Sequence, residues 1–147
     1  MLRSMEIVTA RAEELPGLRA LVRSCGLRDE DMGLPGQRFL LAREGGRLVG
    51  CIGLEPHGAA GLLRSFAVEP GWRGRGAGRA LHERAVALSR ELGIRDLYVL
   101  TTTVRKMALA WGFEEVARDA VPEPIRQGDQ FRALCPASAA CLRLKVP

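Results

Sequence analysis

Three arginines interleave with three glycines in Arg73-Gly74-Arg75-Gly76-Ala77-Gly78-Arg79. Glycines so placed let the backbone turn tightly and present several N–H groups in succession. Ala77, Leu81, Ala85, Leu88 and Leu92 then recur at helical spacing, so a helix begins with its positive dipole end at that turn. Just before it, Leu62-Leu63-Arg64-Ser65-Phe66-Ala67-Val68 reads as a buried strand closed by Pro70-Gly71. A strand, a glycine turn and a helix N-terminus in that order bind phosphate. The arginines add charge-assisted hydrogen bonds that a neutral ligand would not need.

A dinucleotide-binding turn requires G-x-G-x-x-G and an acidic residue at the end of the following strand. Gly74 and Gly76 fit, but Arg79 stands in the third glycine position. Asp96 opens the strand over 97–100 and does not end it. Both departures argue against that ligand. The spacing Arg73-x-x-Gly76-x-Gly78 instead resembles the Q/R-x-x-G-x-G/A signature of the GNAT superfamily of N-acyltransferases. The resemblance extends over nearly the whole chain. It takes in Val68-Glu69-Pro70, the helix after the turn, the next strand and Trp111-Gly112-Phe113.

That resemblance implies an α/β fold, a central twisted mixed sheet of about six or seven strands flanked by helices. It implies acetyl-CoA as cosubstrate, with its pantetheine arm lying between two splayed strands over 62–68 and 97–101. The backbone of Phe66, Ala67 and Val68 would hold the pantetheine amides and polarise the thioester, and Arg73, Gly74, Arg75, Gly76, Ala77, Gly78 and Arg79 would hold the pyrophosphate. The reaction implied is attack of a small-molecule amine on the thioester, which requires a proton acceptor. Glu55 and His57, expected in the turn after the third strand, are candidates for that acceptor, and a solvated turn pair is the competing reading. Many members carry a tyrosine acid four residues before the Gly-Phe pair; here that position is Ala108, and the single tyrosine is Tyr98.

Two subgroups resemble the chain further. Leu97-Tyr98-Val99-Leu100-Thr101-Thr102-Thr103 and Leu63-Arg64-Ser65-Phe66-Ala67-Val68 are similar to segments of N-acetylglutamate-forming amino-acid acetyltransferases and of an arsenic-resistance subgroup. Val121-Pro122-Glu123-Pro124-Ile125 and the segment from Phe131 to Ser138 resemble the latter more. Arg64 is therefore a candidate ligand for a substrate carboxylate, or else the partner of a nearby Glu or Asp. Period-two alternation predicts Arg64, Phe66 and Val68 on one face. Thr101 and Thr102 are candidate hydroxyl ligands, although threonines are common in strands anyway. Cys135 is the candidate arsenic ligand under the arsenic reading.

The elements that must position these residues follow from patterning. Strands are predicted over 5–8, 38–43, 47–54, 62–68, 97–100, 115–117 and 140–146. Helices are predicted from about residue 15 to the Gly26 stop, over 76–92, in a short piece to Trp111, and over 125–134. At 147 residues the chain suits a single domain over 1–147. The net charge of +5 comes almost wholly from dispersed arginines, and aromatic residues are scarce, which argues against nucleic acid. Cys25, Cys51, Cys135 and Cys141 form no C-x-x-C pair and the two histidines add no zinc spacing, so no metal is expected. No apolar run reaches membrane-spanning length and no secretion signal is evident, so a cytoplasmic enzyme is expected, not a membrane protein. The last strand is a candidate surface for homodimer pairing. A non-catalytic acyl-CoA-binding module and an acetyltransferase of protein N-termini or lysines are the rival functions.

Overall fold

The computed structural model describes residues 5–128, 131–132 and 139–147. Its strands are β1 (Glu6–Thr9), β2 (Arg38–Glu44), β3 (Arg47–His57), β4 (Ala60–Val68), β5 (Asp96–Thr101), β6 (Glu114–Val116) and β7 (Ala140–Lys145), and its helices are α1 (Leu15–Ser24), α2 (Ala77–Glu91), α3 (Arg105–Ala110) and α4 (Glu123–Arg126). The strands form one mixed sheet in the order β1-β2-β3-β4-β5-β7-β6. β4 and β5 are parallel, pairing Ala60–Leu63 with Asp96–Val99, as the intervening α2 crossover requires. No helix among the described residues is long and apolar enough to cross a membrane.

The chain divides into two compact units, one running up to Leu54 and resuming over Ser65–Leu88, the other comprising Glu55–Arg64 and the chain from Ser89 onward. In the first, α1 buries Leu18, Leu21 and Val22, one stripe at helical spacing, against Met32, Phe39, Leu41, Cys51 and Ala67. Each such side chain contributes roughly 1.5–3 kcal/mol of burial. Pro16 is tolerated because it sits in the first turn, where its missing N–H has no partner to lose. Gly50 marks where α2 lies close to β3, since a Cβ there would come within 3.1 Å of Leu81 Cδ1 and 3.2 Å of the Ala67 carbonyl oxygen. In the second unit Leu62, Tyr98, Val121, Ile125 and Cys141 form the core, with Phe131 packed at its margin.

Four expectations change. β3 continues to His57 and the two-residue turn is Gly58-Ala59, so Glu55 and His57 are strand residues. The pleat of β4 breaks at Ser65, whose φ of 52° is left-handed, so counting alternate residues does not carry a face from Arg64 across to Phe66 and Val68. β7 lies inside the sheet and not at its edge: it pairs antiparallel with β5 along its length and with β6 over Cys141–Arg143. The helix predicted over 125–134 begins earlier, as Glu123–Arg126 with Pro124 in its first turn. Cys135 and much of that predicted helix lie outside the described residues.

Candidate functional site

The glycine turn belongs wholly to the first unit. After β4 a single 3₁₀ turn, Pro70–Trp72, reverses the chain, and α2 starts at Ala77. Gly74 and Gly76 have φ of 79° and 91°, values that an L side chain adopts only under strain. The result is a run of backbone donors: none of the N–H groups from Gly74 to Arg79 donates to a described residue, and the helical ladder takes up only at Ala80 N–H to the Gly76 carbonyl, 3.0 Å. With the positive end of a 15-residue helix behind them, these donors suit an anion. Gly78 has a different reason. A Cβ there would stand 3.1 Å from Phe66 Cζ, so glycine lets the first turn of α2 pack on the Phe66 ring.

The arginines of the turn have distinct partners. Arg73 donates Nε to the Val68 carbonyl (3.0 Å) and lies 3.7 Å from Cys25 Sγ through Nη2, which ties the turn back to the end of β4. Arg79 pairs with Glu83 one helical turn on, at 3.1 Å, on the exposed face of α2. Arg75 lies over the ring of Trp72, its Cζ 4.8 Å from the centroid. Trp72 was not among the expected site residues; its one signal in the sequence is an aromatic three positions before an arginine.

The second unit holds the other polar cluster. Arg64, with its side chain 1 % exposed, donates Nη1 to Glu55 Oε2 at 3.1 Å, and the other oxygen, Glu55 Oε1, lies 3.0 Å from His57 Nε2. β3 and β4 place these three, as strand neighbours across the Gly58-Ala59 turn. A carboxylate only accepts hydrogen bonds, so the neutral His57 ring facing it carries its hydrogen on Nε2 and leaves Nδ1 with a lone pair. Glu55 and His57 keep about a fifth of their side-chain surface exposed, 19 % and 23 %. The structure thus brings Arg64, Glu55 and His57 together, and it supplies the protein carboxylate that competes with a substrate for Arg64.

The remaining residues fall outside that cluster. Thr101 Oγ1 accepts from the N–H groups of Thr103 (3.0 Å) and Val104 (2.9 Å), which caps the turn into α3, while Thr102 is exposed. Ala108 and Tyr98 are both buried. Cys51 is fully buried, donates to the Ser65 carbonyl, and burial pushes its thiol up to about 12, so it is inert at neutral pH. The cavity of about 230 Å³ in the first unit lies away from the glycine turn, beside the start of α1, where Glu14 holds the Arg43 guanidinium.

The family model of the acetyltransferase (GNAT) family matches residues 6–113. An amino-acid acetyltransferase of Azotobacter vinelandii is 32 % identical over 124 residues, covering 77 % of this chain and 28 % of that protein. The chain therefore spans little more than a quarter of that curated relative. Among solved structures, N-acetylglutamate synthase from Neisseria gonorrhoeae, complexed with coenzyme A and N-acetyl-glutamate, superposes with a TM-score of 0.85 at 23 % identity over 100 % of this chain and 36 % of that one. A GNAT-family acetyltransferase from Staphylococcus aureus gives a TM-score of 0.81 at 18 % identity, covering 98 % of this chain and 100 % of that one. The mixed sheet is thus the GNAT acyl-CoA N-acyltransferase fold.

Proposed function

The chain belongs to the acetyltransferase (GNAT) family, and from that premise we propose that it moves an acetyl group from acetyl-CoA to the amino group of a small, carboxylate-bearing substrate, an amino acid or an amino-acid-like toxic analogue. Enzymes of this family take their acyl group from acetyl-CoA. The observation that carries the cofactor assignment is the run of N–H groups from Gly74 to Arg79 at the start of α2, none of which donates to a described residue. A diphosphate meets there the donors it needs, at close approach to glycine backbone. The backbone of Phe66, Ala67 and Val68, which leads into that turn, is assigned to the pantetheine arm.

The acyl donor supplies an activated thioester; the protein's own task is to remove a proton from the incoming amine. We assign that proton to His57 Nδ1. Glu55 fixes the tautomer through its contact with Nε2, and Arg64 in turn fixes Glu55. Arg64 then acts as a positioning residue, and the ion pair favours that role over a direct grip on substrate. Thr101 and Thr102 remain proposed contacts to substrate, Thr102 being the more accessible. The amino-acid acetyltransferases among the relatives support an amino-acid acceptor.

The test is release of CoA thiol over a panel of amino acids, their amides, an organoarsenical amino-acid analogue and a lysine peptide. The expected outcome is turnover with a subset of free amino acids or the analogue, and little with the amides and the peptide. Tight acetyl-CoA binding with no thiol release from any amine would overturn the enzymatic reading in favour of a binding module, and turnover of the peptide alone would place the substrate among proteins.

A further inference from the structure

We propose that Arg75, seated on the Trp72 ring, recognises the 3′-phosphate on the adenosine of coenzyme A, making the turn selective for the 3′-phosphorylated nucleotide. The inference rests on the cofactor reading of the turn and goes beyond it by dividing its arginines. Arg73 is occupied by the Val68 carbonyl and Arg79 by Glu83. Arg75 is exposed, makes no ion pair with a described acid, and touches the indole instead. A guanidinium held over an aromatic ring by its charge makes no hydrogen bond in doing so, and its N–H groups stay available as donors. Those edge donors are what a phosphate monoester accepts, two at a time.

Division of the ligand's charge points the same way. The diphosphate bridge matches the N–H groups of the turn, which lie in the backbone and approach through glycine. One anionic group remains on the nucleotide, the 3′-phosphate, and it lacks a backbone partner in this scheme. Arg75 lies in the middle of the same turn and is the arginine of the three whose guanidinium makes no hydrogen bond to a described residue. Trp72, half-buried and following Pro70-Gly71, holds that side chain in place before the ligand arrives, which lowers the entropy lost on binding.

Dephospho-CoA lacks only the 3′-phosphate, so it is the probe. Calorimetric titration of CoA and dephospho-CoA into the parent protein, Arg75→Gln and Trp72→Leu separates the possibilities. The parent is expected to prefer CoA by roughly tenfold to a hundredfold, the range of one charge-assisted phosphate contact. Arg75→Gln is expected to abolish that preference while leaving dephospho-CoA affinity within about twofold of the parent. Trp72→Leu is expected to narrow the preference without abolishing it, because the charge survives and only its placement is lost. A parent that binds both nucleotides equally, or an Arg75→Gln variant that weakens both by the same factor, would overturn the assignment and leave the cofactor reading standing. A parent that binds neither would overturn both.

Discussion

The Glu55–Arg64 pair offers a test in which stability and catalysis give separate answers. Arg64 is almost wholly buried and its guanidinium stays charged at any pH a protein survives. Glu55→Ala therefore takes the carboxylate at 3.1 Å away from a buried cation. Breaking a buried pair from one side costs about 3–5 kcal/mol; with Glu55 retaining a fifth of its exposure, and solvent correspondingly near, about 2–4 kcal/mol is expected here. Arg64→Met removes the cation but keeps most of the buried volume. Glu55 then keeps its contact with His57 and some water, so the cost should stay below about 2 kcal/mol. Urea denaturation of the two variants would read this asymmetry directly. Activity gives the second answer. As a positioning residue, Arg64 acts on proton removal, so Arg64→Met should lower kcat for amines with and without a carboxylate by the same factor. As a direct carboxylate ligand it would weaken kcat/KM roughly tenfold to a hundredfold for free amino acids and spare their amides. Loss confined to carboxylate-bearing amines would refute the positioning role, and equal stability of Glu55→Ala and the parent would refute the buried pair itself.

Two further outcomes bear on the first unit. Gly76→Ala forces a Cβ onto a residue at φ of 91°, which should cost about 1–2 kcal/mol, or ~2–8 °C in Tm, and weaken CoA by disturbing the donor run, whereas Gly78→Ala meets the Phe66 ring at 3.1 Å and should be partly rescued by Phe66→Leu; no rescue would mean the glycine serves the ligand and not the packing. His82 is buried in α2, and burial lowers its pKa, with Glu83 opposing and Arg79 reinforcing the shift. The unfolded chain therefore binds a proton near pH ~6.5 that the folded chain refuses, so His82 contributes stability present above that pH and lost as pH falls toward the depressed folded value. The urea midpoint should decline less steeply between pH 7.5 and 5 in His82→Gln than in the parent; identical slopes would refute the linkage.

What the sequence made legible was local. A glycine turn between an apolar strand and a period-3.6 stripe is written in consecutive residues, and α1 shows its buried face at Leu18, Leu21 and Val22 in the same way. The departures all depend on contacts distant in the chain. Ser65 carries no glycine or asparagine signal for the left-handed φ it adopts. The interior place of β7 between β5 and β6 is a matter of non-local pairing order, on which strand patterning is silent. Glu55 and His57 read as turn residues because Pro56 and Gly58 punctuate the segment, yet β3 continues through Pro56.

Position 108 joins these two levels. That no tyrosine occupies it is plain from the sequence, but only the structure shows why the gap is not simply filled. The Ala108 methyl is itself buried, and the N–H groups of Trp111 and Phe113 close onto its carbonyl, so a phenol there would overpack α3 at a cost of about 1–3 kcal/mol. Tyr98 is no substitute, since its ring is part of the core with Leu62, Val121 and Ile125. Both places at which a tyrosine acid would be sought in the second unit are thus committed to packing. A thiolate of coenzyme A leaves readily enough for water to protonate it, while an amine that stays protonated cannot attack at all. In the proposed reaction, proton removal is therefore the step that demands a side chain, and the partly exposed His57, held against Glu55 and through it to Arg64, is the residue we propose for it.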